Sequence, residues 1–398
     1  MRTARMRTIT IYLVLLALLV TMAGCKGRRK EPTPTPTRTP TPIARVNTPT
    51  LPPPTDTPIP TPTPVPTDTP TPTVAPTPTP NIALIVPGND PGISPFTGLR
   101  LADPSVLDRR PLAIKVANTA NVRPQSGLSK ADIVVESRIE FNLTRFTVIY
   151  HSQDAERVGS IRSARLIDLE LPVIFDAVLC FSGAVEPVRQ KIYNSDIGDH
   201  VLEEALNGSA FIRDPNIPMP HNLFANTRTL WQVITERGWN RRPNPTAAWV
   251  FSETPPEGGS PVSRVDLDYP DGVVTWVYDE ATGLWKRFVA GEPHVEALDG
   301  RQLTAANVVI LGANHVPTLI LEHGTEDIGI NRSIEIQLWG QGPLKILRDG
   351  RAYEGMWVRP ERHAPFRFVD AAGRDIPLKL GNSWWQVTPL DMTVTLSP

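Results

Sequence analysis

Apolar residues in this chain gather in short runs, and the character of the runs changes near residue 240. Before that point, the runs at 112–116, 133–135, 146–150 and 177–181 are continuous and rich in Val, Ile, Leu and Phe, which predicts strands buried on both faces. Segments with helical spacing accompany them at 163–171, 186–193 and 228–237, where Leu230, Val233 and Ile234 make one apolar stripe. This alternation predicts an α/β (or α+β) domain over 81–239, with helices packed on a sheet.

Residues 240–245, NRRPNP, continue neither helix nor strand, so a boundary is expected there. From 240 to 398 the apolar segments are short, often β-branched or aromatic, and separated by turn pairs such as Asp271-Gly272, Thr282-Gly283 and Asp349-Gly350. Eight of the nine Trp fall after Gly238, which fits a mostly antiparallel β domain whose core leans on large rings.

The N-terminal region follows other rules. Arg2, Arg5 and Arg7 precede an apolar run of ten residues at 11–20, too short to span a bilayer but suited to a signal segment covering 1–24. Met22-Ala23-Gly24-Cys25 resembles the lipobox of bacterial lipoproteins, which implies acylation at Cys25 and attachment to the outer face of the cytoplasmic membrane. Residues 31–80 contain 19 Pro and 17 Thr, so the stretch 25–80 lacks the apolar side chains to build a core and is expected to be a disordered stalk. At ~3.1 Å per residue in the extended polyproline form, such a stalk reaches on the order of 150 Å.

Charge narrows the partners. After residue 80 there are 31 Lys and Arg against 38 Asp and Glu, a net of −7, which argues against nucleic acid. Any anion site must therefore be local. With Cys25 acylated, Cys180 has no intramolecular partner, and inside the apolar run DAVLCF it is expected to act as a small hydrophobe. The seven His show no HxxxH or HExxH spacing, so neither metal nor cofactor is expected, and the oligomeric state cannot be read.

VGSIRSAR at 158–165 is the stretch with the clearest chemistry. Gly159-Ser160 precedes the expected helix, whose first turn would carry Arg162 and Arg165 three residues apart, and guanidinium forks at a helix start favour an anion. Arg123 and Arg145 extend the candidate site. The alternative is that the Arg residues form ion pairs with nearby carboxylates such as Glu156, Asp168 and Glu170. If 133–135 is a strand, Asp132 and Glu136 share a face at a backbone separation of about 13 Å, too far for a glycosidase acid/base pair, and are expected instead to hold one of the Arg residues. His221, after a Pro-rich loop, could carry protons. Two functions follow: a lipid-anchored protein binding an anionic phosphate or carboxylate group of the cell envelope, or an envelope hydrolase using His221 with Asp132 or Glu136. The first is favoured, because no nucleophile is evident beside a base.

Several motifs together point to a family. LAIKVAN at 112–118, RPQSGLSKADIVVE at 123–136, TRF at 144–146, GSIRSAR at 159–165, RD at 213–214 and PHNL at 220–223 resemble the YerB-like bacterial lipoproteins. GMWVRP at 355–360 and GNSWWQVTP at 381–389 resemble the second part of the same family. The resemblance implies an extracytoplasmic address and a two-part architecture, and no reaction. Two positions depart from the pattern: Glu140-Phe141-Asn142-Leu143 replaces a Gly-containing turn before Thr144, and Phe181 stands where His is common, which removes a general base there.

Overall fold

The computed structural model describes residues 82–245 and 249–398; the signal segment, Cys25 and the Pro/Thr stretch lie outside the described residues. The continuous apolar runs form β1 (Leu112–Ala117), β2 (Ile133–Arg138), β3 (Thr144–Tyr150) and β4 (Val178–Phe181), followed by a short β5 (Val201–Glu203). Beyond residue 240 come β6 (Arg264–Tyr269), β7 (Gly272–Asp279), β8 (Leu284–Val289), β9 (Asn307–Leu321), β10 (Arg332–Gln337), β11 (Gly340–Arg348), β12 (Arg351–Arg359), β13 (Arg367–Val369), β14 (Ser383–Pro389) and β15 (Val394–Ser397).

One large sheet runs β13-β12-β11-β9-β14-β2-β3-β1-β4-β5, with β10 beside the outer half of β9. A smaller antiparallel sheet contains β8-β7-β6-β15. The α/β segment and the mostly antiparallel β segment are therefore both present, and strands from either side of residue 240 share the large sheet. β14 lies parallel to β2 on one side, pairing Val134 with Trp384, and parallel to β9 on the other. The described residues form one compact unit. The physical reason is that β2 needs a neighbour opposite β3, and an edge of unpaired N–H and C=O groups at that position would be costly to bury.

Both faces of the large sheet are covered, which is why its strands read as unbroken hydrophobic runs. Alternation along β14 sends Trp384 into one core, with Val134, Phe146 and Trp276, and Trp385 into the other, with Val135, Phe175 and Phe368. Deleting either ring is expected to cost about 3 to 5 kcal/mol. The first core is closed by the smaller sheet and by α3 (Thr227–Glu236), with Leu230, Trp231 and Ile234 facing in. The second is closed by α1 (Leu171–Phe175) and α2 (Glu186–Tyr193).

The helix expected at 163–171 is corrected. Residues 162–165 are extended, a 3-10 turn covers Leu166–Leu169, and α1 begins only at Leu171. Neighbouring strands claim the backbone first: Arg162 N–H donates to Lys115 C=O (3.0 Å), Ser182 N–H to Arg162 C=O (3.1 Å) and Ala164 N–H to Gly183 C=O (2.8 Å). No described helix is long and apolar enough to cross a membrane.

Candidate anion site

Six strands of the large sheet, β1, β2, β4, β5, β9 and β14, run in the same direction, with β3 antiparallel between β1 and β2. Their carboxyl ends gather on one edge, the place where open α/β sheets form ligand crevices because the connecting loops diverge there. The extended segment 160–162 continues this edge. Val116 bridges Ile161, and Ala117 N–H donates to Ser160 C=O (2.9 Å), so 160–162 occupies the side of β1 that β4 vacates.

Alternation then fixes the faces. Ile161 joins Val116 in the first core, which places Ser160 and Arg162 on the opposite face, beside Lys115 and Ala117. Pairing of β1 with β3 sets Arg145 opposite Ala117 and Thr147 opposite Lys115. Two rows result: Arg145, Ala117 and Ser160, then Thr147, Lys115 and Arg162. The small Ala117 lets the Arg145 side chain lie along the sheet, where its Nη1 donates to Ser163 C=O (2.9 Å).

Electrostatics separate the arginines. Arg165 Nε donates to Glu140 Oε2 (2.7 Å), its Nη2 to the other oxygen of Glu140, and Glu322 Oε2 lies 3.4 Å away. Burial lowers the Arg165 pKa, and the bonds and charge of Glu140 more than offset this, so the net direction is up. Among the described residues Arg145 has no hydrogen bond to a carboxylate. Burial, followed by repulsion from Arg165, pushes its pKa down to about 9, which leaves it charged near neutrality. Its Nε and the Ser160 hydroxyl are buried without a partner among the described residues. Arg162 is half-buried and spends one donor on Pro220 C=O (3.2 Å). Beneath them Lys115 pairs with Asp168 (2.9 Å), both fully buried, and burial pushes the Lys115 pKa down to about 8 despite that partner.

The remaining expected residues fall elsewhere. Arg123 donates to Asn118 Oδ1 (3.2 Å) and Asn118 C=O (3.1 Å), and its electrostatic neighbours are Arg287, Glu136 and Asp271 of the other face. Gly159 meets Leu223 C=O and Phe224 so closely that a Cβ would clash, and its own N–H donates to Ser126 C=O (3.1 Å). The expectation that Asp132 or Glu136 holds Arg123, Arg145, Arg162 or Arg165 by direct bonds is corrected. Asp132 accepts from His151 N–H (2.7 Å) and Ser152 N–H (3.0 Å), while Glu136 pairs with Arg287 (2.5 Å) and accepts from Asn118 and Thr144 (2.9 Å each). Arg287 also donates to His294 Nδ1 (3.1 Å), whose pKa burial and the Arg287 charge push down to about 2.

His221 bonds neither carboxylate. Its Nε2 accepts from Asn121 Nδ2 (2.9 Å), and burial followed by the Arg162 charge lowers its pKa. The neutral ring then carries its proton on Nδ1, which has no partner among the described residues and lies in the loop that Arg162 touches. The constellation for hydrolysis is thus not assembled. Cys180 is buried and unpaired, and burial pushes its thiol up, away from reactivity. Among the described residues no group of three His, Cys, Asp or Glu is placed to hold a metal ion. The partners missed by sequence reading are Glu140, Glu322 and Arg287. Glu140 stands at the start of the stretch that departs from the family pattern, but neither it nor the other two carries a spacing signal that names its partner.

The topology defines a two-part class of protein in which both halves of the chain give strands to one large sheet. Two family models match in tandem: the N-terminal domain of DUF3048, a protein of unknown function, over residues 96–240, and the C-terminal domain of the same family over 265–385. The chain belongs to this YerB-like family. It is 29% identical over 301 residues to "Putative lipoprotein YerB" of Bacillus subtilis (strain 168), covering 74% of this chain and 86% of that protein. It also superposes on the crystal structure of the YerB protein from Bacillus subtilis with a TM-score of 0.64 at 27% identity, covering 76% of this chain and 99% of that one.

Proposed function

We propose that this chain is a lipid-anchored extracytoplasmic binding protein that holds the anionic group of a cell-envelope ligand at the carboxyl edge of its large sheet. One observation carries the reading. Arg145 Nε and Ser160 Oγ are buried donors without a partner, on the same face and beside the half-exposed Arg162. A buried donor left unmade costs roughly 1 to 3 kcal/mol, so a structure that keeps two of them beside an accessible guanidinium is suited to an acceptor from outside. The neutral His221, with its proton on Nδ1, adds a further donor in the loop that Arg162 touches.

The anchor rests on Cys25 and on the name of the Bacillus relative. Acylation at Cys25 would leave the Pro/Thr stretch between membrane and site. The test is thermal denaturation of the full chain against added anions, for wild type and Arg162→Ala. A charge-assisted Arg bond is worth about 1.5 to 3 kcal/mol, so the variant should bind about tenfold more weakly or worse, with its ligand-free midpoint within about 2 °C of wild type. A wild-type midpoint indifferent to every anion would remove the proposal.

A further inference from the structure

The charges that face one another on this side of the sheet form a closed set. Lys115, Arg145, Arg162 and Arg165 are the cations, and Glu140, Asp168 and Glu322 are the anions; the charges that act on Arg145, Arg162, Arg165 and Lys115 are other members of the set. Lys115 is matched by Asp168, and Arg165 by Glu140. Glu322 lies against Arg165 and its charge also acts on Arg145, so it offsets one of the two remaining guanidiniums. One positive charge is left over, shared by Arg145 and Arg162, whose side-chain hydrogen bonds among the described residues go to the carbonyls of Ser163 and Pro220.

We infer that the site is built for a single negative charge: its natural ligand presents a monoanion, such as a carboxylate or a phosphodiester, and not a dianion such as sulfate or a phosphate monoester. This rests on the anion-binding reading above. One incoming charge brings the set to neutrality, which a poorly solvated cluster favours. A dianion would overshoot it and bring its second charge beside Glu140 and Glu322, both almost fully buried. Two buried donors, Arg145 Nε–H and Ser160 Oγ–H, are without a partner among the described residues on the face that the half-buried Arg162 shares. Peptide C-termini and the phosphodiesters of the envelope both present this single charge.

The experiment titrates the full chain with sodium acetate, methanesulfonate and sulfate near neutral pH, against a constant chloride background, and reads the dissociation constant of each from the thermal midpoint. Methanesulfonate and sulfate share a tetrahedral head and differ by one charge. Acetate and methanesulfonate are expected to bind at least about tenfold more tightly than sulfate. Sulfate binding as tightly as acetate, or methanesulfonate binding as weakly as sulfate, would overturn the single-charge inference while leaving anion binding intact. No response to any of the three would overturn both. Glu322→Gln supplies a second, independent arm: with one anion fewer in the set, the preference should move toward sulfate by about tenfold, and an unchanged ratio would count against the inference.

Discussion

Arg165 is expected to be scaffolding, and its removal tests how charge is shared at the site. Arg165→Ala deletes the two-pronged bond to Glu140, the contact with Glu322 and the bond from Nη1 to Ala164 C=O (2.9 Å). Two carboxylates with side chains 3% and 1% exposed are then left with Arg145 as the nearest cation. Stranding a buried charge in this way costs about 3 to 5 kcal/mol. At about 2.1 cal/mol/K per residue, a folded unit of roughly 300 residues loses about 5 to 8 °C in its melting midpoint, and calorimetry reads this directly.

The dependence on pH sharpens the test. In the wild type, burial raises the Glu140 carboxyl, and the Arg165 bond and charge outweigh it, so the net direction is down. Glu140 therefore adds stability above its unfolded pKa, and that contribution is lost as pH falls through the lowered folded value. Without Arg165, burial dominates and the folded pKa rises above the unfolded one. The gap between wild type and variant should be widest near neutrality and should narrow on acidification, as the stranded carboxylates take up protons. Equal midpoints near neutrality, or a gap that widens in acid, would refute the reasoning.

Other consequences follow from the same geometry. The Glu136–Arg287 pair, fully buried between the two halves of the chain, should lose about 3 to 5 kcal/mol on Arg287→Ala, while Glu136→Leu with Arg287→Met should recover most of it in denaturant melts. Cys25→Ser should move the protein out of the membrane fraction or leave an unprocessed precursor; an acylated, membrane-bound variant would contradict the anchor.

The large sheet was legible where burial on both faces left no polar interruption, as in the runs that became β1, β2 and β4. The junction of the two halves was not, because the parallel pairing of Val134 with Trp384 joins residues that share no local pattern. The helix expected at 163–171 failed for a different reason. Leu166, Ile167 and Leu171 have helical spacing, but Lys115 and Gly183 capture the backbone of the preceding turn, and tertiary hydrogen bonds override the local preference. The site was half legible. Arg145, Ser160, Arg162 and Arg165 do converge, although on an extended segment and not on a helix. Their division into one neutralised guanidinium and two incompletely paired ones depends on Glu140, 25 positions from Arg165, and on Glu322, just past the end of β9. No spacing rule reaches that far. Asp132 and Glu136 were grouped with the arginines by proximity in sequence, whereas the partner of Glu136 stands 151 positions away.

The central claim is that a single anion sits between Arg145, Ser160 and Arg162. Crystals of the protein soaked in sodium bromide, a monovalent anion that can be located by its anomalous scattering, test it most directly. The account expects an anomalous peak within contact distance of Arg145 Nε, Ser160 Oγ and the Arg162 guanidinium, lost in Arg162→Ala. Bromide bound elsewhere on the surface, with no peak at this edge of the sheet, would contradict it.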